Sequence, residues 1–185
     1  GRTGTAGWAE PRSGPPGYGG AMARLLVVHH SPTPTLRSLS EAVVAGTRDE
    51  SITGVEVVVR EALEAGADDV RAADGFLLGT PANFGYMSGA LKHFFDTIFL
   101  QSGGDLGQDG SAGQGEASGS RRPYGLWVHG RYDTTGAVRS VSSIVQALSW
   151  RQSAEVLEVL GDVDETGLER AYELGGTLAA LLSQD

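Results

Sequence analysis

Short aliphatic runs alternate with amphipathic stretches along most of this chain, and that alternation constrains the fold more than any other feature. Leu25-Leu26-Val27-Val28 is an unbroken apolar run, as expected for a strand of a parallel sheet covered on both faces. Ser31-Pro32-Thr33-Pro34-Thr35 breaks it and supplies a helix cap. The spacing of Leu36, Leu39, Val43 and Val44 then predicts a helix over about residues 36–47. Residues 55–59 read as a second strand. Residues 60–73 read as a second helix, with Ala62, Ala65 and Val70 available for packing. A third strand starts at Gly75, and a tight aromatic-bearing loop over 80–87 follows it. The next helix continues to Phe99, with apolar residues at 87, 91, 94, 95, 98 and 99 on one face. Residues 124–129 form a fourth strand and 137–150 a helix. Residues 154–160 form a fifth strand, whose alternation suits a sheet edge. The last helix spans 166–182, with Leu168, Tyr172, Leu178 and Leu182 inward.

Five strands and five helices in alternation predict an α/β fold, a three-layer sandwich around a five-stranded parallel sheet. Right-handed crossovers and short connections favour strand order 2-1-3-4-5. The loops after strands one and three then face each other across a crevice at the carboxyl edge of the sheet. Open α/β sheets bind their ligands there.

Composition narrows the function. A net charge of −9, with 14 scattered Lys and Arg, excludes a basic face for nucleic acid. The absence of Cys removes disulfides, thiolate catalysis and Cys-held clusters or zinc. No apolar run approaches the ~20 residues of a membrane span. Residues 1–22, rich in Gly and Pro, read as a disordered leader or expression remnant, with Met22 as the expected start. That stretch lacks the apolar middle of a secretory signal, so a cytoplasmic location is the expectation. A single domain is expected over 23–183. Within it, a Gly-rich segment at 101–122 reads as a mobile loop or insertion.

Three loops carry the candidate chemistry. Ser31, Thr33 and Thr35 place hydroxyls between a buried strand and a helix amino terminus, where free amides and the helix dipole suit a phosphate. The same residues also suit a simple helix cap with Pro34 at its first position. The 80–87 loop offers flat rings, small residues and the Asn83 amide, with hardly any charge. Because Gly85 separates Phe84 from Tyr86, at least one ring is expected at the crevice. Residues 130–136 follow strand four and border the same crevice. There Asp133 and the two Thr are either helix caps or, with Tyr132, an edge for a bound ring. No G-x-G-x-x-G follows the first strand, and no Walker A loop or G-x-S-x-G elbow is present. The four His are dispersed, with neither acidic nor Cys companions, so no metal site is expected. His30 and His129 are candidates either for a ligand hydrogen bond or for a satisfied structural role.

Together these loops resemble the flavodoxin-like FMN proteins, and most closely the NAD(P)H-dependent flavin oxidoreductases and quinone reductases. The most specific part is Gly79-Thr80-Pro81-Ala82-Asn83-Phe84-Gly85-Tyr86-Met87-Ser88-Gly89. It is similar to the quinone-reductase pattern G-T-P-x-x-F-G-x-M-x-x. The resemblance spans about residues 23–183. It implies that Ser31, Thr33, Thr35 and the Leu36 amide hold an FMN phosphate. Pro81, Ala82, Asn83, Phe84, Gly85 and Tyr86 would lie along the isoalloxazine, and Gly130, Arg131, Tyr132 and Asp133 would close its other side. Pro34 stands where the family often has Gly, which removes one amide from the phosphate loop. The implied cofactors are FMN and an NADH or NADPH donor. The implied partners are a quinone-like acceptor or a redox protein, with assembly into a dimer or tetramer. No side chain is required as a catalytic acid or base, since flavin N5 carries the hydride.

Overall fold

The computed structural model of the protein describes residues 22–101 and 121–183. The expected leader and the Gly-rich segment fall almost wholly outside these residues. The element order is β1 (Ala23–His29), α1 (Pro34–Thr47), β2 (Val55–Glu61), α2 (Ala67–Ala72), β3 (Gly75–Asn83), β4 (Tyr86–Met87), α3 (Gly89–Gln101), β5 (Pro123–Gly130), α4 (Thr135–Ala147), β6 (Arg151–Gln152), β7 (Leu157–Leu160) and α5 (Glu165–Leu182). The main sheet is parallel. Its central order is β2-β1-β3-β5, and β6 and β7 together form the edge beyond β5. This is the expected order 2-1-3-4-5, with the fifth strand in two pieces.

The aliphatic runs become strands because both faces are covered. Leu26, Val28, Phe76, Leu78, Leu126 and Val128 point to one core, under α3 and α4. Leu25, Val27, Leu77 and Trp127 point to the other, under α1 and α5. This is the period-two alternation of a strand shared between two apolar layers.

Four expectations need correction. The second helix does not run over 60–73. β2 continues to Glu61, because the parallel ladder with β1 extends to the His29–Glu61 pair. A turn follows, and Gly66 precedes a helix of only six residues. The expected tight loop over 80–87 is a hairpin, β3 running on to Asn83 and pairing with β4, as described below. The fifth strand is broken: Tyr124 pairs with Gln152 and Trp127 with Leu157, so the edge carries two more residues than β5 along that stretch. The chain bulges there, as edge strands commonly do. Upstream of the break, Trp150 leaves the helix pattern and stacks on Phe76, with ring centroids 3.7 Å apart. Finally, Tyr172 is not inward. Its phenol donates to the Asp49 carboxylate at the surface. Hydrogen bonds from Ser51 and Tyr172 hold that carboxyl at about 2.

Candidate functional site

Because the strands of the main sheet are parallel, the loops after β1, β3 and β5 all emerge at one edge. Backbone contacts bring them together. His30 N–H donates to Gly79 O at 3.0 Å, tying the start of the first loop to β3. A Cβ on Gly130 would lie 3.2 Å from Ala82 Cβ, so the third loop touches the second. A Cβ on Gly136 would lie 1.8 Å from Gly85 O, so the first turn of α4 presses directly on the hairpin tip.

The first loop is a helix entry. Thr33 caps α1, its hydroxyl accepting the Leu36 N–H at 3.2 Å, and Pro34 takes the first helical position. Arg37 N–H returns to Thr33 O. Thr35 N–H therefore remains as the first-turn amide without an acceptor among the described residues. It points from the positive end of the helix dipole. Ser31 is turned differently: its Oγ lies 2.8 Å from His29 Nδ1 and 2.7 Å from Ser40 Oγ.

In the second segment β3 and β4 pair antiparallel, Ala82 with Met87 and Asn83 with Tyr86. Phe84 and Gly85 form the two-residue tip, both with positive φ (50° and 73°). That is the backbone of a type I′ hairpin turn. Gly adopts it freely, whereas Phe is held there at a cost of about 1 kcal/mol. The Phe84 ring has no packing to offset that cost, being 109 % exposed, while Tyr86 is 43 % exposed. Strained residues of this kind cluster at binding and active sites. The hairpin base is fixed by Thr80, whose buried hydroxyl donates to Pro81 O and accepts the Ser88 N–H at 2.9 Å. Met87 N–H donates to Ser140 Oγ on α4 at 3.3 Å.

The third loop is mostly exposed, Tyr132 at 92 %. Asp133 accepts the Thr135 N–H at 2.9 Å, which starts α4 and holds its carboxyl below the ordinary range. Thr134 does not cap; its hydroxyl donates to Glu158 at 2.7 Å. Arg131 is exposed. Of the two histidines weighed as ligand groups, His129 is bonded through Nε2 to Gly161 O at 2.7 Å. His30 keeps a buried Nδ1 with no partner among the described residues.

The expected residues therefore share one edge, but they differ in availability. Thr35, Asn83, Phe84, Tyr86, Arg131 and Tyr132 are open to a ligand. Thr33, Asp133 and Ser31 already hold protein groups. Sequence reasoning missed Ser40 and Trp127. Ser40 interrupts the apolar stripe of α1 and Trp127 sits in an aliphatic strand, so each carried a weak signal.

Comparison with known proteins agrees with this fold. The NADPH-dependent FMN reductase family model matches residues 23–154. A flavodoxin of Aquifex aeolicus is 34 % identical over 85 residues, covering 46 % of this chain and 45 % of its own. An NAD(P)H dehydrogenase (quinone) of Acidithiobacillus ferrooxidans is 32 % identical over 109 residues, covering 48 % of this chain and 51 % of its own. The chain thus spans about half the length of these curated relatives. Among solved structures, a flavodoxin from the domain Archaea superposes with TM-score 0.67 at 16 % identity, covering 86 % of this chain and 98 % of its own. A flavodoxin, WrbA-like protein from Agrobacterium tumefaciens superposes with TM-score 0.63, also at 16 % identity, covering 86 % and 97 %. The solved structures establish the flavodoxin-like fold, and on the match over 23–154 the chain belongs to the NADPH-dependent FMN reductase family.

Proposed function

We propose that the protein binds FMN at the crevice between β1 and β3 and passes electrons from NADH or NADPH to a quinone-like or other small acceptor. The observation that carries this reading is the convergence of three loops, tied by the His30–Gly79, Gly130–Ala82 and Gly136–Gly85 contacts. Two orphaned donors or acceptors fit the cofactor: the Thr35 N–H at the start of α1 and the buried His30 Nδ1. The Thr35 amide and the Thr33 hydroxyl would hold the phosphate, with Ser31 beside them. Asn83, Phe84, Gly85 and Tyr86 would line one side of the ring system, and residues 130–133 the other. When bound, FMN supplies hydride acceptance at N5 and onward electron transfer. The chain's task is to orient the ring, exclude water beside it and donate hydrogen bonds to its edge. Arg131, exposed just after β5, is the candidate to meet a 2′-phosphate.

A flavodoxin-type electron carrier is the second reading, favoured by the Aquifex aeolicus relative and by the charge of −9, which suits a basic redox partner. Among the described residues no helix is long and apolar enough to cross a membrane. Purified protein is expected to show flavin absorbance, or to gain it on FMN addition with a rise in melting temperature. Protein that neither carries nor takes up FMN ends both readings. Rapid mixing with NADPH separates them, because a carrier's flavin stays oxidised without a reductase.

Phe84→Asn tests the hairpin tip. Asn tolerates the left-handed backbone and no packing is lost, so stability should rise by about 0.5–1 kcal/mol. FMN affinity should fall in the same variant. Denaturant unfolding and flavin titration check the two effects, and unchanged affinity would remove Phe84 from the site.

A further inference from the structure

His29, Ser31, Ser40 and Trp127 form a hydrogen-bonded row beneath the loop after β1. Trp127 Nε1–H donates to Ser40 Oγ at 3.0 Å, Ser40 Oγ lies 2.7 Å from Ser31 Oγ, and Ser31 Oγ lies 2.8 Å from His29 Nδ1. Trp127 and Ser40 are buried, and His29 and Ser31 are half-buried.

The Trp127 end of the row is fixed, and the His29 end follows the ring's tautomer and protonation. An indole N–H only donates, so Ser40 Oγ accepts there. When His29 is neutral with its proton on Nε2, Nδ1 is an acceptor and takes the Ser31 proton. Ser31 in turn accepts from Ser40, and every hydroxyl proton in the row is used. When His29 is protonated, Nδ1–H becomes a donor. With Ser40 still donating, Ser31 Oγ then accepts from both His29 and Ser40, and its own proton is free for a third acceptor.

We propose that His29 is a positioning residue for the phosphate end of the site: protonation of its ring frees the Ser31 hydroxyl to donate to a phosphate bound at 31–36, so FMN is held more tightly at acid pH. The inference rests on the reading that this loop receives the FMN phosphate. The charge on the ring acts in the same direction, since a cation beside a phosphate dianion favours binding.

The surroundings of His29 permit the titration. Burial lowers its pKa below the ordinary value, Glu61 on β2 raises it, and neighbouring His30 lowers it. From α1 and the residue that ends it, Arg37, Glu41 and Arg48 line an open cavity of about 480 Å³ that also reaches His29, which gives the ring a path to solvent. On the β5 side Trp127 is uncharged, its ring centroid 6.4 Å from that of His29. A bound phosphate raises the pKa, so FMN binding takes up a proton. The second ionisation of a phosphate monoester, near pH 6, acts in the opposite sense if the dianion is preferred.

Dissociation constants for FMN and riboflavin, measured by flavin fluorescence between about pH 5 and about pH 8, test the proposal. Wild-type affinity for FMN should fall by roughly ten- to hundredfold as pH rises, the range for one hydrogen bond to a charged group. Riboflavin, which lacks the phosphate, should show no such fall. His29→Asn places a non-titrating amide near Nδ1 and should bind FMN without that fall. Ser31→Ala should lose the acid-side gain. A wild-type affinity that does not fall with pH, or a His29→Asn variant that keeps the wild-type slope, overturns the role of His29. Equal affinity for FMN and riboflavin at every pH instead overturns the phosphate assignment, and the proposal with it.

Discussion

Gly175→Ala is expected to lower stability by about 3 kcal/mol, and Gly46→Ala by a similar amount. The two glycines sit where α1 crosses α5. A Cβ on Gly175 would lie 1.9 Å from Val43 O, and one on Gly46 would lie 1.9 Å from Tyr172 O. Both obstacles are backbone carbonyls, which cannot swing aside as a side chain would. The helices would have to separate by more than ~1 Å, opening a core that includes Leu36, Leu39, Val43, Ala171 and Leu178. Alanine recovers about 1 kcal/mol of helix propensity over glycine, too little to offset the overpacking. Neither glycine has a positive φ, so backbone strain does not confuse the result. Thermal unfolding should show a drop of about 6–12 °C. A drop of less than about 2 °C would mean that the two helices are not packed this closely.

The fold was legible wherever a local pattern matched a two-sided environment. The run at 25–28 and the apolar residues of α3 each specify an element without help from distant residues. The failures have physical causes. Ala62, Ala65 and Val70 fit a helical spacing, but the β1 ladder extends β2 to Glu61 and a turn follows, so of the three only Val70 falls in α2. The hairpin over 80–87 was hidden because its tip places Phe, not Asn or Gly, in a left-handed conformation. At the site, the three loops could be assigned to one edge from strand order alone. What they do individually could not. Ser31 looks like a free hydroxyl in sequence, and its contacts with His29 and with Ser40, itself bonded to Trp127 at a separation of 87 residues, show that it is engaged. The tight approach of Gly136 to Gly85 is likewise a long-range contact with no local signature.

That approach underlies the second large effect. Gly136→Ala is expected to reduce NADPH-dependent turnover by about a hundredfold, the penalty for misplacing a reacting group by ~1 Å. The new Cβ would lie 1.8 Å from Gly85 O, so the hairpin tip and the start of α4 must part. The tip carries Phe84, and the start of α4 follows the 130–133 loop, so the two sides of the proposed ring site would move relative to each other. The sheet beneath should be little affected, since Gly136 lies in the first turn of α4 and touches the exposed end of the hairpin. FMN affinity and turnover should therefore fall far more than stability does. Ser140→Ala, which removes only the hydroxyl contact to Met87 N–H, provides the comparison and should cost about tenfold or less. If Gly136→Ala binds FMN and turns over like the unsubstituted protein, the hairpin and the 130–133 loop do not act together, and the flavin lies elsewhere on this edge.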